Sequence, residues 1–336
     1  MFRVALIWAS VASLLVAGVA AHPAGAPRAG CGTGFVTATI EGKHVCLKAG
    51  RRCTKAVDRT YHRYRFHCHG GRLTRFPAAP QPTPPAPSPL SPPTLSEPPA
   101  PSGRLVDVGG YRLMVECVGT GAPTVVVEAG AGTTRWGYRK IQYALGGETR
   151  VCSYDRPGTE GSQSDPRPAG VAPTSETFAR ELHTLLANAG EPGPYLLVGP
   201  SFGGILISEF TLRYPDLVAG LVFVDSFSPA AAEVEMKSIS ETWDGRADFE
   251  ALRTLSYGSR PVIVLETSYL GEGPDFRRRA TNIIVAEAPQ YTHLVHLDAP
   301  GLVYETVRVE VAAARAGGSR PQCASTPIAR LVVRCA

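Results

Sequence analysis

The stretch Pro194-Tyr-Leu-Leu-Val-Gly-Pro-Ser-Phe-Gly-Gly-Ile-Leu206 decides the fold of this chain. Its apolar run ends at Gly199, and an apolar pattern of helical period begins after Gly203. Ser201 stands between them in a Gly-x-Ser-x-Gly arrangement, which is typical of a sharp turn from a strand into a helix. Small residues on both sides leave room for a tight backbone, and the following helix directs its free N–H groups toward the serine. The stretch therefore predicts strand, turn and helix, with Ser201 as a candidate nucleophile.

Strand and helix patterns alternate on both sides of this turn, from Arg104 onward. Apolar runs of strand type cover residues 105–108, 112–118, 124–128, 150–154, 221–224, 262–265 and 283–286. Helical periodicity covers residues 136–145, 178–186, 249–255 and 302–314. This alternation predicts an α/β fold with a mostly parallel sheet and helices on both faces. Residues 228–260 are left as a short lid, and the chemistry of such a sheet lies beyond the carboxyl ends of its strands.

Four motifs follow one another in this segment. They are Glu128-Ala-Gly-Ala-Gly132, Tyr154-Asp-Arg-Pro-Gly158, Gly199-Pro-Ser-Phe-Gly203 and His293-Leu-Val-His-Leu-Asp-Ala-Pro300. With these motifs in this order, the segment from Arg104 to about Ala316 resembles an α/β-hydrolase. The resemblance implies the α/β-hydrolase fold for residues 104–316 and a serine hydrolase that uses no metal and no organic cofactor. A serine in place of an aspartate nucleophile argues against haloalkane and epoxide chemistry, which use a carboxylate in this fold.

The resemblance also implies roles for individual residues. Ser201 becomes the nucleophile, and His293, the first histidine of its motif, becomes the general base. The backbone N–H groups of Ala131 and Phe202 become the oxyanion hole. His296, three residues after His293, is expected to pack or to cap the following helix.

The acid of the triad is the least determined member. The usual place, a few residues after the strand 262–265, holds no aspartate until Asp275. Some relatives take the acid from the end of the preceding strand, where Asp225 stands here. We therefore rank Asp225 first, with Asp275 and Glu266 as alternatives, because a carboxylate there would fix the tautomer of the imidazole.

The first 21 residues predict an export signal. Arg3 supplies a positive start, residues 4–19 are almost wholly apolar, and the small residues before position 22 suit cleavage after Ala21. The apolar run is short for a membrane anchor, and no basic stop follows it. The sequence therefore predicts a secreted or cell-envelope protein.

The eight cysteines of an exported chain are expected to form disulfides. Four of them lie in a small module, residues 22–76, which has too few apolar residues to be held by its core alone. Two short strands are expected there, over residues 35–40 and 44–47, and the three possible disulfide pairings stay open. A zinc site with His67 and His69 is the rival interpretation.

The other four cysteines lie in the second part of the chain. The sheet order of the family places Cys117 and Cys152 on neighbouring strands, which implies a bridge or two buried thiols. An oxidising compartment favours the bridge. Cys323 and Cys335 are expected to close a loop in the C-terminal tail, residues 317–336.

Charge is distributed unevenly along the chain. Residues 22–76 contain eleven Lys and Arg against two acidic residues, although the whole chain carries only +5. This balance predicts that residues 31–76 bind an anionic cell-wall or membrane-surface polymer, with a solvated spacer surface as the alternative. Nucleic acid is disfavoured by the predicted export. The proline-rich residues 77–103 are interpreted as a semi-rigid linker.

These patterns together predict a secreted serine hydrolase that cleaves an ester or related acyl bond of a small-molecule substrate through an acyl-enzyme. The alternative is a catalytically inactive hydrolase-fold protein that binds anionic surface material through its basic module. A third hypothesis is another reaction on the same scaffold, such as cofactor-free peroxidase or carbon–carbon bond hydrolase chemistry.

Overall fold

The computed structural model describes residues 31–75, 89–171, 173–230, 249–319 and 322–336. The predicted signal peptide, residues 77–88 of the predicted linker and residues 231–248 of the predicted lid lie outside these ranges. The chain divides into two compact units, Met1–Pro84 and Pro85–Ala336. Within the described ranges, no helix combines the length and the apolar character needed to cross a bilayer.

The first unit is built from two antiparallel hairpins and one short helix. Its elements are β1 (Val36–Ile40), β2 (Lys43–Leu47), α1 (Asp58–His62), β3 (Phe66–His69) and β4 (Arg72–Arg75). β1 pairs with β2, as the sequence predicts, and β3 pairs with β4. The second hairpin was missed because its alternation is masked by charged and histidine side chains on both sides of Leu73.

Two disulfides hold this unit, Cys31–Cys46 and Cys53–Cys68. Its buried apolar residues form one small cluster, made of Ala38, Ile40, Leu47, Tyr61, Phe66 and Leu73. A core of this size needs covalent support, which the two bridges provide. The bridges consume all four thiols of the module, so the rival zinc site with thiolate ligands is wrong.

The second unit contains a nine-stranded sheet. Its strands are β5 (Arg104–Asp107), β6 (Arg112–Val118), β7 (Thr124–Val127), β8 (Val151–Tyr154), β9 (Tyr195–Pro200), β10 (Val218–Val224), β11 (Val262–Glu266), β12 (Ile283–Glu287) and β13 (Arg334–Cys335). Their order across the sheet is β13-β12-β11-β10-β9-β7-β8-β6-β5. The six adjacent strands β12, β11, β10, β9, β7 and β8 pair in parallel. The antiparallel pairs lie at the two edges of the sheet, where β13 joins β12 and where β6 and β5 follow β8. The predicted mostly parallel sheet is confirmed.

Helices cover both faces of this sheet. They are α2 (Arg139–Leu145), α3 (Ser175–Ala189), α4 (Gly203–Arg213), α5 (Phe249–Arg253), α6 (Gly273–Arg279), α7 (Val295–Asp298) and α8 (Pro300–Arg315). α3 and α4 pack against one face, and α2 and α8 against the other. Successive residues of β9 serve opposite faces, since Leu197 joins the first cluster and Leu196 the second. Burial on both faces explains why the central strands read as continuous apolar runs.

The outer parts of this unit differ from the boundaries that the sequence suggests. Residues 89–103, which the sequence interprets as linker, pack within the second unit. Leu90 donates its N–H to the carbonyl of Arg330 (2.6 Å). The missing Cβ of Gly301 leaves space for the backbone of Pro93. The tail, residues 317–336, supplies β13, which pairs with β12. Both segments therefore belong to the fold rather than extending it.

Disulfides fix two positions in this unit. Cys117 and Cys152 stand opposite each other on the antiparallel strands β6 and β8 and form a bridge. Cys323 and Cys335 form the second bridge, which ties β13 back to the turn that precedes it. Both bridges agree with the sequence expectation.

Candidate active site

Ser201 occupies a strained elbow between β9 and α4. Its φ of 50° lies in the left-handed region, which a non-glycine residue rarely adopts. Its N–H donates to the carbonyl of Val224 (3.2 Å), so the elbow is tied to the end of the neighbouring strand. A Cβ at Gly203 would lie 2.0 Å from the carbonyl oxygen of Glu128, which explains the glycine two residues after the serine. The packing thus requires the Gly-x-Ser-x-Gly pattern and holds the serine at the carboxyl end of the sheet.

A continuous hydrogen-bonded chain joins three of the predicted site residues. The Oγ atom of Ser201 lies 2.9 Å from Nε2 of His293, and Nδ1 of His293 lies 2.7 Å from Oδ2 of Asp225. With the ring proton on Nδ1 donated to the carboxylate, Nε2 is free to accept the serine proton. These atoms therefore have the geometry of a nucleophile, a base and an acid that orients the base.

Asp225 is held firmly at the end of β10. Its side chain is fully buried, and its φ of 42° is again left-handed. The second carboxylate oxygen, Oδ1, accepts the N–H of Thr267 (2.9 Å), and the backbone N–H of Asp225 donates to Leu265 (2.6 Å). Each oxygen thus has its own donor, so the carboxylate is fixed in the orientation that the imidazole needs.

The two alternative acids are engaged elsewhere. Asp275 pairs with Arg278 (2.9 Å) and Arg279 (2.6 Å) on its own helix. Burial by itself would raise the pKa of Asp275, but the hydrogen bonds and charge of Arg279 outweigh it, so the pKa is lowered. Glu266 accepts the N–H of Gly273, and burial raises its pKa. The structure places Asp225, and neither alternative, against His293.

The turn that carries Ala131 lies beside the elbow. A Cβ on Gly130 would stand 3.4 Å from Cβ of Ser201, so this turn lies within contact distance of the candidate nucleophile. Arg156 anchors the turn, because its Nη2 donates to the carbonyl of Gly130 (2.7 Å). Phe202 follows the nucleophile directly and begins the turn into α4. The predicted oxyanion donors, the N–H groups of Ala131 and Phe202, thus belong to the two segments that meet at Ser201.

His296 lies beneath the site and does not join the triad. It is 5% exposed and stacks on Tyr138, with ring centroids 4.6 Å apart. The Tyr138 hydroxyl in turn accepts the N–H of Gly130 (3.4 Å). Among the described residues, neither ring nitrogen of His296 has a hydrogen-bond partner. His296 therefore packs, as expected, and supports the glycine-rich turn through Tyr138. The sequence indicated no role for Tyr138 at the site, because it showed only a helical pattern there.

Burial, with a smaller effect from His293, lowers the pKa of His296 from 6.5 to about 4. The unfolded chain takes up this proton as pH falls through 6.5, and the folded chain takes it up only near pH 4. The free energy of unfolding therefore keeps its full value above pH 6.5 and falls by about 3 kcal/mol on acidification to about pH 4. We expect His296→Phe, which keeps a ring on Tyr138, to reduce the acid-induced fall in the free energy of unfolding, measured by urea denaturation at several pH values.

His183 provides a matched control for this prediction, because it stacks on Tyr214 (4.2 Å) but is only partly buried. His183→Phe should leave the pH dependence of stability close to that of the wild type. An identical pH dependence in the His296→Phe variant would contradict the assignment.

An exposed aromatic ring lies beside the candidate base. Tyr269 is 67% exposed, yet its ring lies 4.6 Å from the ring of His293. Leu294 and Leu297, which follow His293 in the sequence, are each about half exposed. Sequence analysis did not single out Tyr269, because its proximity to His293 is set by the tertiary fold. Its exposed ring offers apolar surface beside the candidate base.

One group of side chains in the described ranges has the spacing of a metal site. The group of Cys117, Cys152 and Glu191 has suitable spacing, but its two sulfur atoms form a disulfide. A disulfide sulfur is not the thiolate that a metal site needs.

Comparisons with known proteins concern the fold that carries these residues. Residues 123–268 match the family model described as the alpha/beta hydrolase fold. Over 124 residues the chain is 36% identical to 2-hydroxy-6-oxo-2,4-heptadienoate hydrolase of Pseudomonas putida, a match covering 36% of this chain and 44% of that protein. The chain spans less than half the length of such curated relatives.

Solved structures share the fold. The epoxide hydrolase CorEH superimposes with a TM-score of 0.52 at 19% identity, covering 63% of this chain and 98% of that one. Proline iminopeptidase of Mycobacterium smegmatis gives a TM-score of 0.50 at 17% identity, covering 65% and 100%. Sheet order, elbow, family match and structural likeness lead to one conclusion: the second unit has the alpha/beta hydrolase fold, and its residues 123–268 match the model of that family.

Proposed function

We propose that this protein is an exported serine hydrolase that cleaves an ester or related acyl bond through an acyl-enzyme. The observation that carries the proposal is the hydrogen-bonded chain from Ser201 through His293 to Asp225. The order of the three residues along the chain, serine before aspartate before histidine, is that of α/β-hydrolase triads.

In the first half of the reaction, Oγ of Ser201 attacks the carbonyl carbon of the substrate while its proton passes to Nε2 of His293. The carbonyl oxygen becomes an oxyanion, which the N–H groups of Ala131 and Phe202 stabilise. Asp225 stabilises the imidazolium that forms. The tetrahedral intermediate then expels the alcohol, which takes the proton from Nε2, and the acyl group stays on Ser201.

In the second half, a water molecule replaces the alcohol. His293 removes a proton from the water as its oxygen attacks the acyl carbon. Collapse of the second tetrahedral intermediate returns that proton to Oγ of Ser201 and releases the carboxylic acid. Each proton that leaves a nucleophile thus ends on a leaving group, so no cofactor is required to balance the reaction.

Two features support an ester with an apolar part. The nucleophile is a serine, whereas epoxide chemistry in this fold uses a carboxylate, so the structural likeness to an epoxide hydrolase concerns the fold alone. The exposed ring of Tyr269 lies 4.6 Å from the ring of His293 and offers apolar surface to a substrate that approaches the base. Burial of a few carbon atoms there would contribute roughly 1 kcal/mol for each methylene.

Export is part of the proposal. Its support is the apolar N-terminal run after Arg3 and the pairing of all eight cysteines in four disulfides. Disulfides persist in oxidising compartments and are rare in reducing ones.

A substrate panel tests the reaction class. The folded, oxidised full chain is offered p-nitrophenyl esters of increasing acyl length, the matching anilides and a vinylogous β-diketone substrate of carbon–carbon hydrolases. We expect the esters to be cleaved fastest and intact-mass spectrometry to detect an acyl adduct on the protein. Cleavage of the diketone alone would overturn the ester assignment and would favour the reaction named for the Pseudomonas putida relative.

A further inference from the structure

The small N-terminal unit has a charge balance that its own fold does not explain. Between residues 31 and 75 the sequence contains ten Lys and Arg but only two acidic residues, Glu41 and Asp58. All ten cationic side chains are exposed. Asp58 is already engaged, because it accepts the N–H of Cys68 and pairs with His62 (3.2 Å). The unit therefore carries an excess of positive charge at its surface.

Four of these cations lie on two neighbouring segments, which we call the basic edge: Lys48, Arg51, Arg52 and Arg72. The backbone brings their two segments together. Leu73 donates its N–H to the carbonyl of Arg51 (2.7 Å), and Gly50 donates to the carbonyl of Leu73 (2.8 Å). Arg52 and Arg72 stand directly opposite each other in an antiparallel bridge. The Cys53–Cys68 disulfide fixes the same region covalently.

This arrangement costs free energy in the isolated protein. Like charges directly opposite each other on paired strands destabilise the pair, by several tenths of a kcal/mol. Within the described ranges, no carboxylate lies within ion-pair distance of any cation of the basic edge. The ring of Phe35 holds two cations of the edge near each other, because Lys48 and Arg51 both lie 5.1 Å from its centroid. An anion that lies along the edge would remove this repulsion.

The surroundings of the basic edge indicate the kind of anion. Within residues 31–75, none of the large apolar side chains is exposed, so the unit offers no anchor for a lipid bilayer and no platform for stacked bases. The helix α1 has only five residues, too few to read a DNA groove. Arginine forks match carboxylate and sulfate groups in two-point contacts. Several forks in a row fit a hydrophilic chain that repeats such groups.

We propose that the basic edge of the N-terminal unit binds a linear anionic polysaccharide. The inference concerns binding only and is independent of the hydrolase reaction, so its test uses the full chain with Ser201→Ala, which cannot turn over a substrate. The probe is fluorescein-labelled polygalacturonate, a linear polyuronate, and fluorescence anisotropy reports its dissociation constant at low and moderate salt.

Two variants of equal net charge make the test specific. The first replaces Arg51, Arg52 and Arg72 by glutamine, and the second replaces Lys43, Arg59 and Arg63, which lie outside the basic edge. We expect the first to weaken polygalacturonate binding by at least about tenfold and the second by less than about threefold, because only the first removes close contacts. Circular dichroism spectra and melting temperatures equal to those of the wild type are the control that both variants fold.

Three results would overturn the proposal. Equal weakening in both variants would mean attraction by net charge alone. Absence of wild-type binding to polygalacturonate would remove the ligand class. Tighter binding to a 30-base-pair DNA duplex or to phosphatidylglycerol vesicles than to polygalacturonate would assign the edge to a different polyanion. Neutral dextran of the same length, which should not bind, provides the baseline.

Discussion

Replacement of Ser201 by alanine is expected to lower kcat/KM for ester hydrolysis by roughly 10⁴-fold to 10⁶-fold, because the variant has no atom that can form the acyl-enzyme. His293→Ala should cost about as much, since without Nε2 the serine proton has no acceptor 2.9 Å away. A fluorophosphonate probe, which reports an activated serine, should label the wild type and neither variant. Steady-state kinetics and gel fluorescence measure the two effects.

His183→Ala is the matched control for the histidine variant. His183 lies in α3 and stacks on Tyr214, so its removal should leave labelling and kcat close to wild-type values. Labelling of the Ser201→Ala variant at the wild-type rate would show that another residue is the nucleophile. Failure of the folded wild type to label would favour the alternative of a catalytically inactive binding protein.

Asp225→Asn is expected to lower kcat by about 10⁴-fold while KM changes little. The amide keeps the shape of the carboxylate but donates a proton toward Nδ1, which favours the wrong tautomer of His293 and no longer stabilises its cation. Burial of the Asp225 side chain leaves no room for water to replace the lost charge. Kinetics with a p-nitrophenyl ester at saturating concentration separate kcat from KM.

Asp275→Asn and Glu266→Gln separate this role from the alternatives. Each removes one of the other candidate acids, and each should leave kcat within about tenfold of the wild type. The melting temperature of Asp275→Asn is measured as well, because this change weakens the contacts to Arg278 and Arg279. A larger loss of kcat in either variant than in Asp225→Asn would reassign the acid.

The central sheet could be predicted because its evidence is local. Buried parallel strands appear as apolar runs of four to six residues, and the strands from β7 to β12 were found at nearly their observed positions. β13 could not be found, because a two-residue strand has no period to recognise. Its place is set by pairing with β12 and by the Cys323–Cys335 bridge. Residues 89–103 were misjudged for a related reason: proline-rich composition excludes helix but does not show what a segment packs against.

The sequence by itself determined which residues are the candidate nucleophile and the candidate base. A glycine-flanked serine between a strand and a helix, and a histidine after the last parallel strand, are features of short stretches, so they are visible without the fold. The acid was different, because Asp225 and His293 are 68 residues apart and three carboxylates stood at plausible places. Only the tertiary structure, in which the end of β10 meets the loop after β12, selects one of them.

The same division holds for the other parts of the molecule. Composition showed that the N-terminal unit is basic and rich in cysteine, but the pairing of Cys31 with Cys46 and the alignment of Arg52 with Arg72 required the fold. Contacts between distant segments depend on how whole elements pack, and the free energy of that packing is spread over many residues. Local stretches of sequence therefore set which residues carry chemistry, and long-range packing sets which of them meet.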